Sequence, residues 1–111
     1  MGASKTDLFT QEQNELALLA KAIGHPARVA ILQYLLDSKE CINNDLVNEL
    51  GLAQPTISQH LKELKNIGLI KGTVEGVSIC YCIDNVKWSQ IRDLFNELFD
   101  HNPGCTDSNC C

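Results

Sequence analysis

The sequence predicts a mainly α-helical domain with one small β-ribbon, an α+β class, and three observations carry that reading. Apolar residues recur at three- and four-residue spacing in several stretches, a glycine-containing break joins two of those stretches, and two short alternating segments follow them directly. At 111 residues the chain has room for one core and not for two domains of ordinary size.

Near the N-terminus, Leu16, Leu19, Ala20 and Ile23 form one stripe of an amphipathic helix. Residues 41 to 84 then read as a helix, a tight turn, a second helix and a two-stranded wing. Asn43 is placed as an N-cap, with Ile42 before it and Val47 after it at the spacing of a hydrophobic staple. Gly51 ends that helix, and Pro55 falls in the first turn of the next, where proline is tolerated. Ile57, Leu61 and Leu64 give the second helix a buried stripe. Leu69 to Val74 and Ser78 to Ile83 alternate around Glu75-Gly76, which predicts a hairpin. Trp88, Ile91, Phe95, Leu98 and Phe99 stripe a last helix, which Asn102-Pro103-Gly104 stops. The expected organisation is a flexible segment 1–11, a winged helix-turn-helix domain 12–101 and a cysteine-containing tail 102–111.

A helix joined to another through a short glycine-containing turn has the shape that enters a major groove of double-stranded DNA. The face opposite the buried stripe carries Gln54, Thr56, Ser58 and Gln59, amides and hydroxyls that both donate and accept at base edges. Lys62, Lys65 and Lys71 are the basic residues of the 54–74 segment and the candidates for phosphate contacts. The overall charge of −5 opposes non-specific DNA binding, but 54–74 has three lysines against Glu63, a local +2, and the rest of the chain carries −7. Weak non-specific binding follows, with specificity resting on base contacts and dimer spacing. There is no phosphate loop and no nucleophile–base–orienter set, which argues against an enzyme, an organic cofactor or a small organic substrate. His25 and His60 sit inside scaffold stretches, and His60, one position off the polar face, reads as a packing and hydrogen-bonding residue.

No apolar run approaches the roughly 20 residues of a membrane helix and none suits a signal peptide, so a soluble cytoplasmic protein without a membrane partner is expected. Met1-Gly2-Ala3-Ser4-Lys5-Thr6 fits a loose myristoylation pattern that is matched often by chance and is set aside.

Six cysteines exceed what packing in a reduced compartment needs. Cys80 and Cys82 lie two apart on a strand and read as small apolar residues filling one sheet face, with a reactive pair as the alternative. Cys41 stands just ahead of a helix start, where the dipole favours a thiolate, and is either a redox residue or one with no role. Cys105, Cys110 and Cys111 fall in a tail of glycine, asparagine, serine and aspartate that has no core to fill. Three thiolates on a short flexible segment suit a soft, three-coordinate centre such as trivalent arsenic or antimony. Two alternatives remain: a tetrahedral zinc or cadmium site completed by His101, and a thiol-redox switch pairing Cys110 or Cys111 with Cys105 or Cys41.

The chain resembles the ArsR/SmtB winged-helix repressors of bacteria over about residues 12 to 100. The resemblance rests on Lys21 to Leu32, on Gln54-Pro55-Thr56-Ile57-Ser58-Gln59-His60-Leu61-Lys62-Glu63-Leu64, and on Gly68-Leu69-Ile70 leading into the wing. It implies a homodimer that binds operator DNA and releases it when a metal, metalloid or oxidant reaches a sensor site. It also implies that the first and last long helices pair between subunits, which favours an interface for the two terminal stripes over an intramolecular core. The family's Cys-Val-Cys-Asp-Leu arsenic motif is matched here by Ile42-Asn43-Asn44-Asp45-Leu46, so both its cysteines are missing. At the family's zinc positions on the last helix, Asp84 matches but Val86, Glu97 and Asp100 replace the other ligands. Some members sense arsenite through C-terminal cysteines, an arrangement that Cys105, Cys110 and Cys111 resemble.

Overall fold

A computed structural model of the chain describes residues 8–38, 42, 45–76 and 78–101. Its elements are α1 (Gln11–Ile23), α2 (Pro26–Asp37), α3 (Asp45–Leu50), α4 (Gln54–Asn66), β1 (Ile70–Glu75), β2 (Ser78–Ile83) and α5 (Asn85–Phe99). The architecture is the expected one, helices around one core with a two-stranded antiparallel wing.

Each helix start has a local cause. Thr10 and Gln13 form a reciprocal capping box at α1, each side chain accepting the other's backbone N–H at 3.0 Å. His25 caps α2, its Nδ1 accepting the Ala27 N–H at 3.1 Å ahead of Pro26 in the first turn. Asp84 caps α5, one carboxylate oxygen accepting the Lys87 N–H at 3.1 Å. The cap expected at Asn43 lies outside the described residues.

Helix α2 is central and packs on α3, α4 and β2, burying Ile31, Leu32 and Leu35. Leu46 from α3 and Ile57, Leu61 and Leu64 from α4 close the same core, with Leu69, Ile70 and Ile83 at the base of the wing. Gly51 makes the helix-turn-helix corner at φ +68°, a conformation that costs glycine little, and its N–H donates to the Val47 carbonyl at 3.0 Å.

The wing pairs Ile70 with Ile83 through to Glu75 with Ser78. Glu75 is therefore the last residue of β1 and not part of the turn. The turn expected at Glu75-Gly76 lies one residue later, because Gly76, at φ +62°, supplies the positive φ that a tight hairpin needs. Ile42 adds a short bridge to the wing: its N–H donates to the Tyr81 carbonyl at 2.9 Å and its carbonyl accepts the Tyr81 N–H at 2.8 Å. This ties the chain just before the helix-turn-helix to the second wing strand.

The terminal stripes divide between two environments. Leu19 and Ile91 are buried where α1 meets α5, and Ile23, Trp88, Leu94 and Phe95 pack partly against the same core. Ala20 of the first stripe and Leu98 and Phe99 of the second are exposed, as are Leu18, beside the first stripe, and Leu8 and Phe9 just ahead of α1. Part of each stripe is intramolecular core, and part is apolar surface of the chain.

Candidate nucleic-acid interface

The surface that can meet DNA is built by the two-sidedness of α4. Ile57, Leu61 and Leu64 anchor one side in the core, so the rotation of the helix leaves Gln54, Thr56, Ser58, Gln59, Lys62 and Lys65 exposed. Lys71 on β1 is exposed as well. All seven expected residues thus lie on the surface, on α4 and on the strand that follows it. Two pairs are already oriented along the helix: the Gln54 side-chain amide donates to Ser58 Oγ at 3.1 Å, and that of Gln59 donates to the Glu63 carboxylate at 3.3 Å. These bonds are exposed and weak, so both amides can exchange partners for base edges at little cost. Ala53, the residue before α4, has no side-chain acceptor, which leaves the first-turn N–H groups without a side-chain cap.

The opposite side of α4 holds a polar link that sequence periodicity did not reveal. His60 is 8% exposed, and its Nδ1 accepts from Arg28 Nε at 3.0 Å. Arg28 Nη1 in turn donates to the Ala22 carbonyl near the end of α1 at 2.8 Å. The ring of His25 lies 4.5 Å from that of His60, centroid to centroid. Burial pushes the His60 imidazole below its ordinary pKa of 6.5, and the positive charge of Arg28 and the neighbouring His25 act in the same direction. The reading of His60 as a packing and hydrogen-bonding residue agrees with this geometry. Its partner is 32 residues away and could not be named from spacing.

The sensor candidates fall differently. Cys105, Cys110 and Cys111, as well as Cys41, lie outside the described residues. Cys80 is buried and Cys82 half-buried. Burial, with a smaller contribution from Cys82, raises the Cys80 thiol above its ordinary pKa, which suppresses the thiolate and suits packing. Asp84 is spent on capping α5, and Val86, Glu97 and Asp100 are exposed. Among the described residues, no three His, Cys, Asp or Glu side chains gather in a way that could hold a metal ion. His101 lines a shallow groove between the ends of α1 and α5 with Glu12 and Glu97. No helix among the described residues is long and apolar enough to cross a membrane.

Comparison with known proteins agrees with this arrangement. Residues 25–71 match the family described as "Bacterial regulatory protein, arsR family". An uncharacterized HTH-type transcriptional regulator of Methanocaldococcus jannaschii is 34% identical over 88 residues, which cover 79% of this chain and 99% of that protein. A homolog of the cadmium resistance transcriptional regulatory protein CadC from Staphylococcus aureus is 31% identical over 99 residues, covering 88% of this chain and 78% of the relative. Among solved structures, HlyU from Vibrio cholerae superposes with a TM-score of 0.63 at 28% identity, covering 84% of this chain and all of that one.

Proposed function

The chain belongs to the ArsR/SmtB family of winged helix-turn-helix transcriptional repressors, DNA-binding regulators and not enzymes, and from that premise we propose a metalloid-responsive repressor. It holds operator DNA as a homodimer and lets go when trivalent arsenic or antimony binds Cys105, Cys110 and Cys111.

DNA reading rests on one observation, the exposed polar face of α4 backed by its buried leucine–isoleucine stripe. Gln54, Thr56, Ser58 and Gln59 offer hydrogen bonds to base edges, while Lys62, Lys65 and Lys71 offer charge to phosphates. Dimerisation is supported by the apolar surface left by Leu18, Leu98 and Phe99 on α1 and α5. A second copy covering it would set two α4 helices at one helical turn of DNA, about 34 Å, or a multiple of it.

The effector follows from donor chemistry. Three of the last seven residues are cysteines in a segment too polar to form a core, and soft thiolates in a set of three suit trivalent arsenic or antimony. The tail continues directly from α5, whose outer face carries Leu98 and Phe99. Gathering three sulfurs pulls on the end of that helix and so shifts the spacing of the two α4 helices. A coupling of about 1–3 kcal/mol weakens operator binding 5- to 150-fold.

A second reading is favoured by the likeness to a CadC homolog and by His101, which stands exposed four residues before Cys105: a zinc or cadmium site of three thiolates and one imidazole. Titration of the purified, reduced protein on a labelled inverted repeat with arsenite, zinc and cadmium separates the two. Release by arsenite at stoichiometric amounts supports the three-sulfur site. Release by zinc or cadmium alone, lost in His101→Ala, would establish the tetrahedral one.

A further inference from the structure

The link from Ala22 through Arg28 to His60 joins the end of α1 and the start of α2 to the buried side of α4. Arg28 is positively charged at all physiological pH values, so it only donates. Its bond to His60 therefore needs the lone pair of Nδ1, which places the imidazole proton on Nε2. A second proton can enter only at Nδ1, the atom that holds Arg28. Protonation would convert the acceptor into a donor and set two cations at hydrogen-bonding distance, so the bond cannot survive it.

Among the described residues, positive groups outnumber negative ones around the ring. From α2, Arg28 and His25 face the ring, and His25 Nδ1 is occupied in capping α2. Lys21 from α1 and Glu63 from α4 line the adjoining groove of about 450 Å³ with His25 and Arg28, so the one carboxylate there faces two basic side chains and a histidine. Glu49 of α3 and Lys71 and Glu75 of β1, the other elements packed on α4, are exposed.

We propose that Arg28 and His60 form a proton-sensitive latch: with His60 neutral the pair holds α4 in the pose that reads DNA, and its protonation releases α4 and weakens operator binding without any metalloid. The latch rests on the reading of α4 as the helix that enters DNA. It is distinct from the cysteine tail, since its residues lie on the buried side of the reading helix. Arg28 and His60 are positioning residues; neither is on the exposed face.

The test is the pH profile of operator affinity, from pH 8 to pH 5.5, for the wild type and for His60→Asn. The asparagine amide oxygen can accept from Arg28 in place of Nδ1 and does not titrate. The wild type should lose affinity by about 5-fold or more across this range, the scale of an ordinary allosteric coupling, and the variant should follow a nearly flat profile. In NMR of the wild type, the Arg28 Nε–H resonance should disappear with the same midpoint as His60 protonation. Binding by both proteins at pH 8 with parallel profiles would overturn the latch alone, as would an Arg28 resonance that persists after His60 is protonated. Failure of the wild type to bind any inverted repeat at pH 8 would overturn the reading of α4, and the latch with it. Should His60→Asn not fold, the NMR midpoints of the wild type decide the matter.

Discussion

Replacing Lys62 by alanine should lower the salt dependence of operator binding by a definite amount. Each chain exposes Lys62, Lys65 and Lys71 on α4 and β1, so the proposed dimer would bring six such cations to DNA. If all six neutralise phosphates, log K should fall against log salt with a slope of about −5, because each contact contributes about −0.9. Between 50 and 200 mM salt that slope corresponds to a loss of affinity of about 10³. Lys62→Ala removes two contacts per dimer, so the slope should relax by about 1.8, to about −3.6, and the loss to about 10². The neighbouring Glu63 is present in both proteins, so the difference between their slopes reports Lys62 alone. The −7 carried by the rest of the chain acts from farther away and is largely screened beyond a Debye length of about 10 Å at 0.1 M salt. Fluorescence anisotropy of a labelled inverted repeat over this salt range measures both slopes. An unchanged slope in Lys62→Ala would refute the assignment of this lysine to a phosphate.

Leu64 is wholly buried, so Leu64→Ala should destabilise the fold by about 2–5 kcal/mol in urea titrations, and a cost below about 1 kcal/mol would contradict the packing of α4. Leu98 and Phe99 are 53% and 74% exposed in the protomer, so changing both to glutamate should leave the helix content intact while sedimentation detects monomers at micromolar concentration; a persistent dimer would place the interface elsewhere. His60 has a lowered pKa in the native state, so the unfolded chain takes up its proton first as pH falls through 6.5. Its contribution to stability is complete above 6.5, declines below it and levels off once the native imidazole is also protonated. The urea midpoint of the wild type relative to His60→Asn should therefore fall below pH 6.5, and a constant difference would contradict the burial argument.

The parts of the fold that were legible in the sequence are those fixed by local rules. The stripe Ile57–Leu61–Leu64 dictated which side of α4 faces outward, and with it the exposure of the six candidate DNA contacts on that helix; the seventh, Lys71, is exposed on β1. Gly51 marked the corner because a positive φ there favours glycine. The hairpin was legible, but its turn was placed one residue early, since Glu75 fits the end of a strand as well as a turn and only pairing with Ser78 decides. The terminal stripes could not be divided in advance, because core and interface impose the same helical period. Arg28 and His60 were invisible as a pair because their contact is tertiary, although both lay inside recognised stretches. Asp84 matches one zinc position of the resembled family, and in the structure it caps α5.

The central claim is that thiolates of the tail govern release of DNA. It is tested most directly by adding arsenite to operator complexes of the wild type, of the triple variant Cys105→Ser, Cys110→Ser, Cys111→Ser, and of Cys80→Ser, with anisotropy reporting bound DNA. The account predicts that all three proteins bind the operator equally without arsenite. It predicts that arsenite weakens binding 5- to 150-fold in the wild type and in Cys80→Ser, and that the triple variant does not respond. Arsenite-driven release from the triple variant would contradict it.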